Sequence, residues 1–225
     1  MANREPFAVG EWYHCFSRGI EKRNTFGNDY DANRFLMLLY LANGTKAVSL
    51  FGLRKLNLEK VFGMDRGEPL VDIGAYCLMP NHFHLLIKEK KEGGISAFMR
   101  KLGIAYTMYF NSKHERVGNL FVKPFRSRHI ATDRYFQRVL QYIHCNPAEL
   151  YEEKWKAGVV KNERLLELKL REYPYVSLAA HLEPSRHDAI LSREVFKVAN
   201  PLPLRRMLEE ARSYYRDIAE ERFER

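Results

Sequence analysis

The stretch VDIGAYCLMPNHFHLLIKEK, Val71 to Lys90, decides the fold. Two apolar runs, Val71 to Met79 and His82 to Lys90, flank Pro80-Asn81, a turn dipeptide in which proline cannot donate to a strand ladder. The pattern predicts a β-hairpin. Residues two apart on a strand share a face, so His82 and His84 project together while Phe83, Leu85 and Ile87 point the other way. A strand built only to fill a core has no use for an imidazole pair.

Working outward, GEWYHCFSRG (Gly10 to Gly19) reads as a strand. NDYDANRFLMLLYLAN (Asn28 to Asn43) has helical apolar spacing behind Asn and Asp start signals, and Asn43-Gly44 stops it. Thr45 to Pro69 reads as an insertion that is partly helical. After Gly93-Gly94, Ile95, Phe98, Met99, Leu102, Ala105, Tyr106 and Tyr109 form one face of a long helix. Leu120 to Ile130 is a basic, aromatic strand or hairpin, and Thr132-Asp133 opens a helix, DRYFQRVLQYIHCN, that Pro147 ends.

The order β-α-β-β-α-β is the ferredoxin-like pattern. The expected class is therefore α+β: a ferredoxin-like sheet with helices on one face, an added helix carrying Tyr142, and a helical C-terminal extension. The expected division is a domain over 8–150 and the extension over 151–225. Within the extension we expect a short helix, a turn at Tyr173-Pro174-Tyr175 and a terminal helix from Leu204, whose arginines are balanced by acids, as in a solvated or packing helix.

A chain of 225 residues, 46% hydrophobic and 13% aromatic, can bury a sizeable core. No stretch reaches the roughly 18 apolar residues of a membrane span, and the first residues lack a signal-like apolar region, so the expectation is a cytoplasmic protein with no membrane partner. Cys15, Cys77 and Cys145 are too few and too scattered for a disulfide framework or a CxxC zinc knuckle. The formal charge is +9, which favours a polyanionic partner. Tyr76 to Pro147 holds twelve Lys and Arg against four acids, so most of that charge surrounds the histidine pair.

Two neutral imidazoles on one face can share a metal ion through one lone pair each. On the later helix Tyr142 and Asn146 are one turn apart on one face, beside the stripe of Phe136, Leu140 and Ile143. The Asn146 amide oxygen could complete a set with His82 and His84, and such a thiolate-free N and O set suits Mg²⁺ or Mn²⁺ better than a structural zinc. The competing reading is plainer: two satisfied polar residues on a half-exposed strand, a core tyrosine, and an asparagine ending a helix before proline. Lys123, Arg126, Arg128 and His129, set among Phe121, Phe125 and Tyr135, suit phosphate neutralisation and base stacking, and Lys22 and Arg23 on the loop after the first strand are similar candidates. For each the alternative is a solvated basic segment.

PNHFH followed by QYIHCNP resembles the single-tyrosine HUH transposases, and most closely their REP-associated tyrosine transposase branch. WYHCFSRGIEKRNTF (Trp12 to Phe26) is similar to that branch's first strand and basic loop, and YPYVSLAAHL (Tyr173 to Leu182) to its later Pro-Trp-Ser-Ser segment, with Tyr175-Val176-Ser177 in place of Trp-Ser-Ser. The resemblance implies that Tyr142 is the nucleophile and His82, His84 and Asn146 the metal ligands. It further implies a metal-dependent DNA transposase that cleaves and rejoins single-stranded DNA near hairpins through a 5′-phosphotyrosine, as a monomer or a homodimer. The alternative on the same fold is a regulator that binds DNA or RNA hairpins without cutting them.

Overall fold

The computed structural model of the chain describes residues 6–47, 57–183, 188–200 and 202–223. The elements run β1 (Trp12–Arg18), α1 (Asp29–Ala42), α2 (Leu58–Phe62), β2 (Val71–Met79), β3 (His82–Glu89), α3 (Gly94–Lys113), β4 (Arg126–Ile130) and α4 (Asp133–Cys145). Then follow α5 (Glu163–Glu172), α6 (Leu178–Leu182), α7 (Val195–Val198) and α8 (Leu204–Phe223). The strands form one sheet in the order β2-β3-β1-β4, with every neighbouring pair antiparallel. This is the order a β-α-β-β-α-β chain reaches when each crossover skips one strand, so the expected ferredoxin-like sheet is present.

Local signals set the helix starts. The Asn28 side chain accepts from Asp31 N–H and that of Thr132 from Tyr135 N–H, each satisfying an amide that the helix itself cannot. At α3 the fully buried Glu89, at the end of β3, accepts from the Gly94 and Ile95 amides at 3.0 and 2.6 Å. A carboxylate suits that position because the helix N-terminus carries partial positive charge.

Both faces of the sheet are covered. On one, Phe35 and Leu39 of α1 and Phe98, Leu102 and Tyr106 of α3 pack on Phe83, Leu85 and Ile87. Each such burial stabilises by about 1.5–3 kcal/mol. On the other, Val139, Leu140 and Ile143 of α4 and Leu208, Ala211 and Tyr214 of α8 pack on Ala75, Cys77 and Leu86, with Trp155 in the same cluster. α8 is thus a packing helix. β2 is buried along its whole length because it faces both cores.

The outer edge of β2 is closed by the Tyr173–Ser177 segment: Leu78 N–H donates to the Tyr175 carbonyl, Ser177 N–H to that of Tyr76, and the Tyr173 hydroxyl to that of Leu78. Gly74 sits at a bulge in β2, where a Cβ would meet the Trp12 ring at 2.7 Å.

Two boundaries differ from the sequence pattern. Leu120 to Phe125 is not strand: it runs beside β1, with Phe121 bridging Gly19 and Val122 N–H donating to the Arg18 carbonyl. Pro147 does not end the turning of the chain, because it stands at the start of a 3-10 turn, Asn146–Leu150, where its missing N–H costs nothing. Within Thr45 to Pro69, α2 is the helical part and residues 48–56 lie outside the described residues. No helix among the described residues is long and apolar enough to cross a membrane.

Candidate active site

The two central strands bring the first residues together. In the β1–β3 ladder Arg18 stands opposite His82 and Phe16 opposite His84, and in the β2–β3 ladder Met79 and Cys77 take those places. The imidazole pair therefore lies mid-sheet, on the face that α4 covers, and its rings are 5.0 Å apart and perpendicular. Phe83, Leu85 and Ile87 belong to the opposite core, as the period of two requires.

α4 lays Tyr142 against this row. Its ring centroid is 5.3 Å from that of His84 and 5.8 Å from that of His14. One turn on, Asn146 is 1% exposed, beside both Tyr142 and His82, yet neither its Oδ1 nor its Nδ2 closes a hydrogen bond of ordinary geometry. A buried amide without partners is costly, so such a group invites a ligand.

Each histidine has one nitrogen engaged. His82 Nδ1 lies 2.7 Å from Asn81 Oδ1, and His84 Nδ1 lies 2.8 Å from His14 Nε2. His84 Nε2 remains for another partner, while His82 lies within reach of the Asn146 amide. Burial, followed by the Arg18 charge, pushes the His82 pKa down to about 4, against the pull of Asn146. Burial and the His14 and His82 rings hold His84 well below its ordinary value. Both are therefore neutral near pH 7 and keep a lone pair. Two ring nitrogens and one amide oxygen could hold a divalent ion, and among the described residues no group of three His, Cys, Asp or Glu offers another cation site. Cys77 and Cys145 add no thiolate, because burial raises both thiol pKa values.

The phenol of Tyr142 is 7% exposed, and burial, reinforced by the Glu149 charge, pushes its pKa up to about 12 despite the Asn146 amide. Positive charge nearby could favour the phenolate, but in this arrangement desolvation prevails and the group is a phenol.

Of the basic residues expected to meet DNA, Arg126 and Arg128 project from β4 on the face of the histidine pair, opposite Phe16 and His14. Lys123 is exposed just before β4. His129 points to the other face and its Nε2 lies 3.0 Å from Glu11 Oε2. Lys22 and Arg23 lie on an exposed loop wrapped on the Pro80-Asn81 turn next to His82: Thr25 and Phe26 amides donate to the Pro80 carbonyl, and Asn81 Nδ2 to that of Lys22. Phe121 is buried in the first core and cannot stack on a base, whereas Phe125 and Tyr135 are half-buried.

Sequence reasoning missed three contributors. His14 is fully buried and contacts His84, and Tyr214 of α8 places its hydroxyl 2.7 Å from His14 Nδ1 and its ring 4.8 Å from that of Tyr142. Arg18 is exposed at the end of β1 beside His82. Parity with Trp12 and Phe16 was available for His14, but only the β1–β3 register makes it a neighbour of His84. Nothing in the sequence ties Tyr214 to the site.

The family model for IS200-like transposases matches residues 54–146, a segment that includes β2, β3, α3, β4 and α4 and carries His82, His84, Tyr142 and Asn146. The solved structure of a REP-associated tyrosine transposase bound to a REP hairpin superposes with a TM-score of 0.52 at 13% identity, over 90% of this chain and 99% of that one. At that identity the likeness is one of fold. No curated protein matches the sequence.

Proposed function

We propose that this protein is a DNA transposase that cuts and rejoins single-stranded DNA beside hairpins, with Tyr142 as nucleophile, a reading supported by the match of residues 54–146 to the IS200-like transposase family model. The observation that carries the reading is the meeting of three features. The Tyr142 ring packs 5.3 Å from His84, the adjacent His82 and His84 each engage a neighbour through Nδ1, and the Asn146 amide one turn away is buried without a hydrogen bond of ordinary geometry. A core tyrosine and two satisfied histidines would not need that orphaned amide.

In this reading His82, His84 and Asn146 would hold Mg²⁺ or Mn²⁺ through two ring nitrogens and the amide oxygen. The fit rests on neutral imidazoles, an unpartnered carbonyl oxygen and the absence of thiolate from the set. A divalent ion there supplies Lewis-acid stabilisation of charge on the scissile phosphate.

The remaining chemistry belongs to the chain. Tyr142 Oη attacks phosphorus, the Oη–P bond forms and the bond from phosphorus to the 3′ oxygen breaks. The phenol gives up a proton and the 3′ oxygen takes one. The product is a 5′-phosphotyrosine with a free 3′-OH, and attack by a 3′-OH on that linkage restores the strand, so no nucleotide cofactor is consumed. Arg126, Arg128 and Lys123 hold the backbone on the site's face, with Lys22 and Arg23 beside the His82 turn. Because α4 packs on the sheet, Tyr142 has a fixed approach rather than a loop's range of positions.

The deep burial of Tyr142 beneath Tyr214 favours a second reading, a hairpin-binding regulator that does not cut. One experiment separates the two: incubation with single-stranded hairpin DNA and Mn²⁺, followed by a denaturing gel. A covalent adduct in the wild type that Tyr142→Phe lacks supports the transposase. Retained DNA binding with no adduct establishes the regulator, and an adduct undiminished in Tyr142→Phe moves the nucleophile elsewhere.

A further inference from the structure

We infer that His14 and Tyr214 are positioning residues that fix the tautomer of His84, so that its Nε2 lone pair faces the ligand side of the site. The inference rests on the reading of His84 as a metal ligand. Three buried groups from β3, β1 and α8 form a chain: His84 Nδ1 is 2.8 Å from His14 Nε2, and His14 Nδ1 is 2.7 Å from the Tyr214 hydroxyl. The Tyr214 phenol is in turn within hydrogen-bonding reach of Tyr135, which is half-buried.

Each neutral imidazole carries one proton, so the chain has two orders. In the first, His84 Nδ1–H donates to His14 Nε2, His14 Nδ1–H donates to the Tyr214 oxygen, and the Tyr214 hydroxyl donates to Tyr135. Every donor has an acceptor, and His84 Nε2 is bare. In the second, Tyr214 donates to His14 Nδ1 and His14 Nε2–H donates to His84 Nδ1. The His84 proton then stands on Nε2, where no hydrogen-bond acceptor meets it among the described contacts. The first order meets every donor inside the chain, whereas the second leaves the His84 N–H with no protein acceptor, so the first order prevails. It is also the order in which His84 can ligate, and such outer partners govern ligand orientation and basicity. A ring contributed by β1 and a hydroxyl contributed by α8 thereby decide what β3 presents.

The tautomer can be read in metal-free protein by long-range ¹H–¹⁵N correlation after ¹⁵N-histidine labelling, so the result does not depend on the metal. The wild type is expected to show His84 protonated at Nδ1. Tyr214→Phe keeps the ring's packing but removes the acceptor of His14 Nδ1–H; either order then leaves one N–H unmet, so the preference for Nδ1 is lost and a mixture of His84 tautomers is expected. His14→Leu should lose that preference as well, while His14→Gln, whose amide oxygen can still accept, should retain Nδ1–H. In parallel, Mn²⁺ affinity should fall roughly 10- to 100-fold in Tyr214→Phe and recover in His14→Gln relative to His14→Leu. A wild-type His84 protonated at Nε2, or an unchanged tautomer in Tyr214→Phe, would overturn the inference. Should His14→Leu not fold, Tyr214→Phe decides alone. The expected tautomers without wild-type Mn²⁺ binding would instead sink the proposed ligand set and leave the relay standing.

Discussion

The rings of Tyr214 and Tyr142 lie 4.8 Å apart, centroid to centroid, so a residue from the far end of the chain covers the candidate nucleophile. Burial is the main cause of its pKa of about 12, so admitting water should lower it. Tyr214→Ala is expected to bring Tyr142 ionisation toward the ordinary value of about 10, read as the phenolate absorbance lost on adding Tyr142→Phe. A Tyr142 that still ionises near its wild-type value would show that α4 and the sheet alone bury it. The sign for stability follows from a raised pKa: the contribution of Tyr142 is complete below the unfolded value of about 10 and is lost as pH rises through the folded value.

Asn146 should separate stability from function. Its amide has no hydrogen bond of ordinary geometry, so Asn146→Leu, which keeps the branched shape, removes a desolvated polar group without breaking a bond. Folding stability measured by urea unfolding is expected to be unchanged or to rise, by up to about 1–3 kcal/mol. Mn²⁺ affinity and adduct formation should fall together. A clear loss of stability would mean that the amide serves the fold.

Acid should unfold the protein earlier than its net charge alone suggests. His82 is depressed to about 4 and His14 to about 3, both chiefly by burial. A depressed pKa contributes stability that is complete above the unfolded value of about 6.5 and is lost as pH falls through the folded one. Between pH 6.5 and 4 the loss from His82 alone is on the order of 3 kcal/mol. Urea midpoints measured across that window should fall steeply in the wild type and less in His82→Gln. Equal slopes would place the acid sensitivity in other groups.

The basic residues should divide by face. Lys123→Ala and Arg126→Ala are each expected to weaken single-stranded DNA binding and to reduce the slope of log affinity against log salt by about 1. His129→Ala should do little, because that ring points away from the site and pairs with Glu11. Fluorescence anisotropy at several salt concentrations measures both, and a His129 effect as large as that of Arg126 would place the DNA on the opposite face.

The parts of this fold that local chemistry governs were legible in the sequence. Pro80-Asn81 dictates the hairpin, the period of two puts Phe83 and His84 on opposite sides, and Asn28 and Thr132 act as caps because their side-chain oxygens reach amides three residues on. What depends on distant segments meeting was not. Phe121 looks like an exposed stacking residue beside Lys123, yet the run that carries it folds under β1 and into the first core. His14 and Tyr214 are 200 residues apart and gain meaning only from the β1–β3 register and the docking of α8. The expected role of Tyr142 is what the resemblance of QYIHCNP to the single-tyrosine transposases implies, while the burial that governs its ionisation involves α8, an element whose balanced charges give no hint of the site.

Because β3 is hydrogen-bonded along both sides, between β1 and β2, its register is locked by two ladders at once. Deleting one residue from the Pro80-Asn81 turn could not be absorbed at a free edge: it would invert the strand, sending His82 and His84 into the α1–α3 core and Phe83 toward Tyr142. Length changes in the chain between α1 and β2 impose no such inversion. Natural variants of this protein should therefore differ freely in the size of that connection and hold the turn before His82 to a fixed residue count.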